Sequence, residues 1–345
     1  ATSYKQLLKI ANEQCEEMIF SVQCIKQYGY SNTRNITYGN RCTAGSMWNN
    51  YLPNPHFVES FETATGEKFN WDNYLPGYSA MKEKERVVFF LRDGLSAAEK
   101  ERMAAYGADM NKYLDSGNEA RIKKAYESRD PRLQMAVITP YAQYNGASSG
   151  IAHTYTLRWP YRGSDSAEPF DIRTDTNDKF YYLWRKFVPE GLEQTERDTY
   201  GLDIPLIRYA EVLLLKAEAL NEWGSTHESE AIRCVNEVRR RAGHVELNNA
   251  TYPATKVNGQ SDLRERIRNE YYWEIGGEDS MYFHELRWGT WKDKKFDNNR
   301  NGLMQMWGET TYTWYWLGDQ CWSWPIPAKE MEMNSNLEQN EGWIN

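Results

Sequence analysis

The sequence predicts a mainly α-helical protein built on tetratricopeptide-like helix pairs, with long ligand-side loops and a few short strands. Three observations carry this. Ala210, Leu213, Leu214, Ala217 and Leu220 recur at three- and four-residue steps, one apolar stripe on a helix. Beyond a turn at Gly224-Ser225-Thr226, Ala231, Val235 and Val238 repeat the spacing toward Gly243, close to a tetratricopeptide pattern with a slightly long turn. Segments rich in Gly, Asn, Thr and Tyr separate such helices, and loops of that length are usually functional or disordered.

Taken in order, residues 3–18 have helical periodicity, and Ile19 to Cys24 alternate as a short strand. A long loop fills 25–56, followed by a short helix over 56–61 and a second aromatic loop over 70–80. Charged helices are expected over 95–114 and 118–127, a strand at Val137-Ile138-Thr139-Pro140, and a Gly/Ser/Asp-rich loop over 141–178. Residues 181–187 read as extended. Pro205 suits a first helical position, where its missing N–H costs nothing, so the first helix of the pair is placed from there. Residues 264–288 form the next long helical region. In the tail, Pro325 and Pro327 fix an extended segment that cannot be a central strand, expected to lie as a belt across the helices.

With 345 residues and a net charge of −8, the chain has room for a large core and no electrostatic footprint for nucleic acid. No window approaches the length of an apolar membrane span. Cys15, Cys24, Cys42, Cys234 and Cys321 are scattered without a CxxC pair, which predicts mostly free, buried thiols. No charged, apolar leader precedes Ala1, and the chain reads as part of something longer.

Ile204-Pro205-Leu206-Ile207-Arg208-Tyr209-Ala210-Glu211 and Ala217 to Glu222 resemble the signature of SusD/RagB proteins, surface nutrient-binding lipoproteins of Bacteroidetes. Asp130-Pro131-Arg132-Leu133 is similar to the family's D-P-R-L. Ile267 to Ile275 resembles I-R-x-E-R-x-x-E-L, Arg287-Trp288-Gly289 its R-W-G, and Trp324 to Trp343 its closing Pro-rich segment. One departure is Glu278-Asp279-Ser280-Met281, where the family's arginine is missing and a buried ion pair should be disturbed. The resemblance implies a single domain over 1–345 lacking its N-terminal portion, with 204–243 as a helix pair within it. It further implies an outer-membrane, surface-exposed location, a lipid anchor outside this chain, and a SusC-like TonB-dependent transporter as partner.

Candidate chemistry is uneven. Glu211/Glu218 and Glu274/Glu278 are carboxylate pairs on helical stretches with Arg or Lys nearby, the pattern of ion pairs. The five histidines are isolated and read as structural. Asp297 to Gly302 begins like a calcium loop but has Gly308 where the twelfth-position Glu belongs, so no metal is assigned. No phosphate-binding glycine motif occurs, and no cofactor is expected.

Aromatic loops remain. Saccharide rings present apolar C–H faces and polar edges, so a binder needs flat rings ringed by donors and acceptors. Tyr30, Tyr38, Arg41, Trp48, Asn49 and Tyr51 supply both, and Trp71 and Tyr74 (with Tyr78) form a second cluster. Trp307, Trp314, Trp316, Trp322 and Trp324 read as packing residues. The family resemblance implies stacking aromatics in the first loop, with Trp48 foremost, and non-catalytic capture of an oligosaccharide. A peptide ligand, as in the RagB branch, and a helical-barrel glycosidase stay open as alternatives.

Overall fold

The computed structural model describes residues 4–43, 47–148, 151–162, 167–172, 179–191, 199–296 and 302–343. The chain divides into two compact units, Ala1–Glu278 with Met304–Glu309, and Asp279–Leu303 with Thr310–Asn345.

The first unit runs α1 (Tyr4–Leu7), β1 (Met18–Val22), α2 (Arg34–Tyr38), α3 (Pro55–Ser60), α4 (Glu83–Phe90), α5 (Ala97–Tyr106), α6 (Asn118–Glu127) and α7 (Pro131–Ala136). Short strands β2 (Val137–Ile138), β3 (Gln143–Ser148), β4 (Ile151–Thr156), β5 (Phe170–Asp171), β6 (Leu183–Trp184) and β7 (Ile204–Arg208) follow. Then come α8 (Tyr209–Trp223), α9 (Glu228–Ala242) and α10 (Gln260–Ile275). Local chemistry sets several boundaries. Ser96 and Glu99 form a reciprocal capping box at the start of α5, which stops at Gly107 with φ 115°. Asp130 accepts from Arg132 N and Pro131 takes the first position of α7.

The expected helix pair is present as α8 and α9, its stripe of Ala210, Leu213, Leu214, Ala217, Leu220, Ala231, Val235 and Val238 buried. Its start is not where Pro205 suggested. Ile204–Arg208 pairs antiparallel with β1 (Phe20↔Ile207, Ser21↔Pro205, Val22↔Ile204), and the helix begins at Tyr209. Ile204 and Ile207 are β-branched, and a two-stranded ribbon tolerates proline because neither strand is central. The ribbon leaves Ile19, Phe20, Val22, Leu206 and Ile207 exposed.

Other elements also differ from expectation. The helical periodicity of 3–18 yields only the single turn of α1 and a 3₁₀ turn at Ile10–Asn12. The region 141–178 holds the β3–β4 hairpin, with β5 parallel to β4, so Gly146 belongs to a ladder and not to a loop. α4 has no counterpart in the sequence reading. Val87, Val88, Phe89 and Phe90 are all buried there, so its apolar run has no one-sided helical period to detect.

The second unit contains α11 (Ser280–Arg287), α12 (Trp291–Phe296) and α13 (Ala328–Met333). Edge-packed rings link Tyr282, Trp291, Phe296, Trp316 and Trp322. Gln339 clamps the proline segment by accepting from Ile326 N at 2.8 Å and donating to Ile326 O at 3.0 Å. Trp324 and Trp314 are exposed, contrary to their reading as packing residues; the Trp324 indole N–H meets the Tyr282 hydroxyl at 3.2 Å.

Inside the first unit lies a buried ion cluster. Arg132 grips Asp130 at 2.7 Å and lies 2.7 Å from Glu270 Oε1, at ion-pair distance but off the hydrogen-bond axis. Arg239 holds the other Glu270 oxygen at 2.8 Å. Arg208 reaches Glu274 at 2.9 Å and Glu278 at 2.7 Å, and Arg241 also pairs with Glu274. Lys186 lies 2.5 Å from Glu278 and donates to Glu274 O and Gly276 O. Glu278 therefore keeps intact ion pairs, and the disturbance expected there is not seen. Burial alone would raise the Glu274 carboxyl; the guanidiniums of Arg241, Arg208 and Arg132 outweigh it and hold the group below the carboxylate range. Burial pushes the Lys186 ammonium down to about 8, against the pull of Glu278.

Removing one member of such a cluster strands its partners. Glu274→Ala is expected to cost about 3–5 kcal/mol in urea unfolding. Glu222→Ala, which breaks the exposed pair with Arg264, should cost less than about 1 kcal/mol. The lowered carboxyls of Glu274, Glu278, Glu62 and Asp130 also set an acid limit. Their stabilisation is complete above the ordinary glutamate value of 4.5 and drains away as pH falls through the native values. Melting temperature should accordingly be flat near neutrality and drop steeply below that point, as calorimetry across a pH series would show.

Candidate ligand-binding face

The first loop is held by backbone bonds. Trp48 N donates to Ile36 O at 2.9 Å, and Asn50 N and Tyr51 N both donate to Thr37 O. Met47 packs inward against Ile36 and Ala147. Gly39 permits this approach, since a Cβ there would lie 2.3 Å from Asn35 O and 2.8 Å from Met47 Cγ. With Met47 fully buried, its neighbour faces the other way, and Trp48 is 53% exposed. Asn49 takes φ 59° and is buried, so it turns the chain and presents no surface amide. Tyr51 is then 57% exposed.

Tyr38, at the end of α2, is half-buried. Its hydroxyl donates to Gly277 O at 2.9 Å, and its ring meets Tyr51 at 5.4 Å, Phe187 at 5.8 Å and Trp184 at 6.0 Å. It supports Tyr51 from beneath. Tyr30, with its neighbour Tyr28, is strongly exposed around Gly29. Arg41 is half-buried, and its Nε has no hydrogen-bond partner.

The second aromatic cluster belongs to the core. Trp71 is buried between Tyr78 and Phe69, each at 4.8 Å, with its indole N–H on Glu59 at 2.7 Å. Tyr74 lies against Phe69 and shares a hydrogen bond with Ser128. Trp71 and Tyr78 are covered by protein, and Tyr74 is half-buried against the same core. Periodicity and composition could not separate the two clusters, because exposure is decided by partners distant in sequence.

A polar cavity of about 670 Å³ lies elsewhere in the first unit, lined among others by Lys123, Arg129, Tyr141, Gln143 and Arg185. It holds none of the first-loop aromatics. Its tyrosines are already committed, Tyr126 to Tyr182 and Tyr141 to Phe90 O. Of the carboxylate pairs, Glu274/Glu278 is consumed by the ion cluster, and Glu211 is buried on α8. Among the described residues no group of three or more His, Cys, Asp or Glu is arranged for a metal, and no helix is long and apolar enough to cross a membrane. Residues 297–301 of the calcium-like stretch fall outside the described residues. All five cysteines are free, though only Cys24 and Cys234 are buried.

The chain belongs to the SusD family, whose model matches residues 16–343. It is 32% identical over 139 residues to the SusD-like protein P38 of Formosa agariphila, a match covering 40% of this chain and 24% of that one. It is 28% identical over 161 residues to the starch-binding protein SusD of Bacteroides thetaiotaomicron, covering 46% and 25%. A SusD-like protein of Bacteroides fragilis superposes with a TM-score of 0.61 at 20% identity, over 99% of this chain and 57% of that one. A SusD-like carbohydrate-binding protein of the same species gives 0.60 at 20% identity, over 97% and 57%. The chain thus spans little more than half of those structures, and the matched stretches about a quarter of the two sequence relatives.

The burial difference between the two clusters gives a measurable contrast. Trp71→Ala should cost about 3–5 kcal/mol of stability by denaturant unfolding. Trp48→Ala and Tyr51→Ala, both on the surface, should stay within about 0.5 kcal/mol of the parent.

Proposed function

We propose that this protein captures an oligosaccharide at the outer surface of the cell without cleaving it, and hands it to a SusC-like TonB-dependent transporter. A lipid anchor outside this chain would hold it at the outer membrane. The observation that carries the reading is the pair Trp48 and Tyr51. Both rings are exposed, yet both rest on backbone fixed to α2, so little ordering is needed when a sugar stacks on them. Tyr30 extends the ringed surface. The family relationship supports the same reading, since one relative is a starch-binding protein and one structural neighbour a carbohydrate-binding protein. The commitment of Glu274 and Glu278 to arginines supports binding over hydrolysis, which requires a carboxyl able to give up a proton.

A glycan array probed in parallel with a peptide pool tests this directly. Binding to one or more oligosaccharides is expected, lost in Trp48→Ala. Hits confined to peptides would replace the glycan reading with a peptide one, and new reducing ends after incubation with polysaccharide would replace binding with hydrolysis.

A further inference from the structure

The loop that carries Trp48 and Tyr51 departs from the chain around it in charge. The protein as a whole is acidic, with 49 Asp and Glu against 41 Lys and Arg. From Met18 through Val58, however, there is no Asp or Glu at all, while Lys26, Arg34 and Arg41 all fall within the stretch. An acid-free run of that length on such a chain leaves a local positive field.

Carboxylates from elements packed against this run are held by other cations, with the exception of Asp203 at its Cys24 end. Asp203 accepts from Cys24 N at 2.7 Å. Asp171, whose backbone lies near the Cys42 thiol, is held by Arg158 at 3.0 Å and Arg162 at 2.7 Å. Glu190 pairs with Arg185. Arg34 lies over the Phe187 ring at 4.8 Å. Arg41 stands apart. Among the described residues no carboxylate, carbonyl or ring engages its guanidinium, although it is half-buried.

A guanidinium partly withdrawn from water without a counter-charge is costly, and a ligand anion would offset that cost through bidentate hydrogen bonds. Arg41 is also well placed. Met47 N bonds back to Asn40 O at 3.3 Å, so the backbone leaving Asn40 for Arg41 and the backbone leaving Met47 for Trp48 start from one fixed point.

We infer that the saccharide taken by this face is acidic, carrying carboxylate or sulfate groups, and that Arg41 selects it by pairing with an anion while Trp48 stacks on a ring. This inference rests on the glycan reading above and adds the class of sugar to it. Discrimination then comes from charge and shape together: the ring contacts accept any flat sugar face, and the guanidinium adds affinity only when an anion is in reach.

Titration calorimetry with the full chain would use three oligosaccharide series of matched length: neutral, uronate-bearing and sulfated. At low ionic strength the acidic ligands should bind about tenfold tighter than the neutral ones. The preference should shrink as salt is added. Arg41→Gln should abolish it, so that acidic and neutral series bind with equal affinity, and Arg41→Lys, which keeps charge but not the fork, should retain part of it. Whichever acidic series binds identifies the anion. Equal affinity for neutral and acidic sugars, or a preference untouched by Arg41→Gln, would overturn the inference and leave glycan capture standing. Failure of all three series would instead remove the glycan reading itself.

Discussion

The buried ion cluster around Glu270 and Glu274 is the constraint on which the first unit depends. Two carboxylates one helical turn apart on α10 face four guanidiniums delivered by three other elements: Arg132 from α7, Arg208 from the end of β7, and Arg239 and Arg241 from α9. Ions taken so far from water are tolerable only when each finds its partners, so the cluster fixes where each of those elements can sit. Apolar packing alone would permit neighbouring arrangements of the same helices. Charge pairing at four points leaves far fewer, because any slip leaves a bare charge in the interior.

The ringed loop is tied to that cluster through short links. Lys186 reaches across to Glu278, and the next residue, Phe187, packs on Tyr38. The Tyr38 hydroxyl bonds to Gly277, adjacent to Glu278 in the chain, and the Trp184 ring would meet any Cβ placed at Gly277 within 2.9 Å. Tyr51 therefore stands on a support whose position is fixed from the interior outward. Rigid rings over a rigid base suit stacking, because the entropy of positioning them is already spent in folding.

The scaffold was legible in the sequence where its determinants are local. The α8–α9 pair showed in its spacing. That Asp130, Arg132, Glu270, Glu274 and Arg208 converge was not legible, since the pairs join residues up to 142 positions apart. The same reason hid the strand at Pro205, which exists because Met18–Val22 comes to pair with it. Among the candidate site residues, Trp48, Tyr51 and Tyr30 are exposed, Asn49 and Trp71 are drawn into turn and core, and Tyr74 is half-buried at the core's edge. Aromatic type announces that a ring will be used. It does not announce which surface will cover it.

The β1–β7 ribbon carries a further consequence. Each of its strands is hydrogen-bonded on one side only within the described residues, and Ile19, Phe20, Val22, Leu206 and Ile207 stand in the open beside it. Unpaired strand edges and bare apolar rows together are a template for adding another strand. The same short stretch that positions Arg208 for the interior thus presents an open strand edge beside bare apolar side chains, a combination that favours edge-to-edge association.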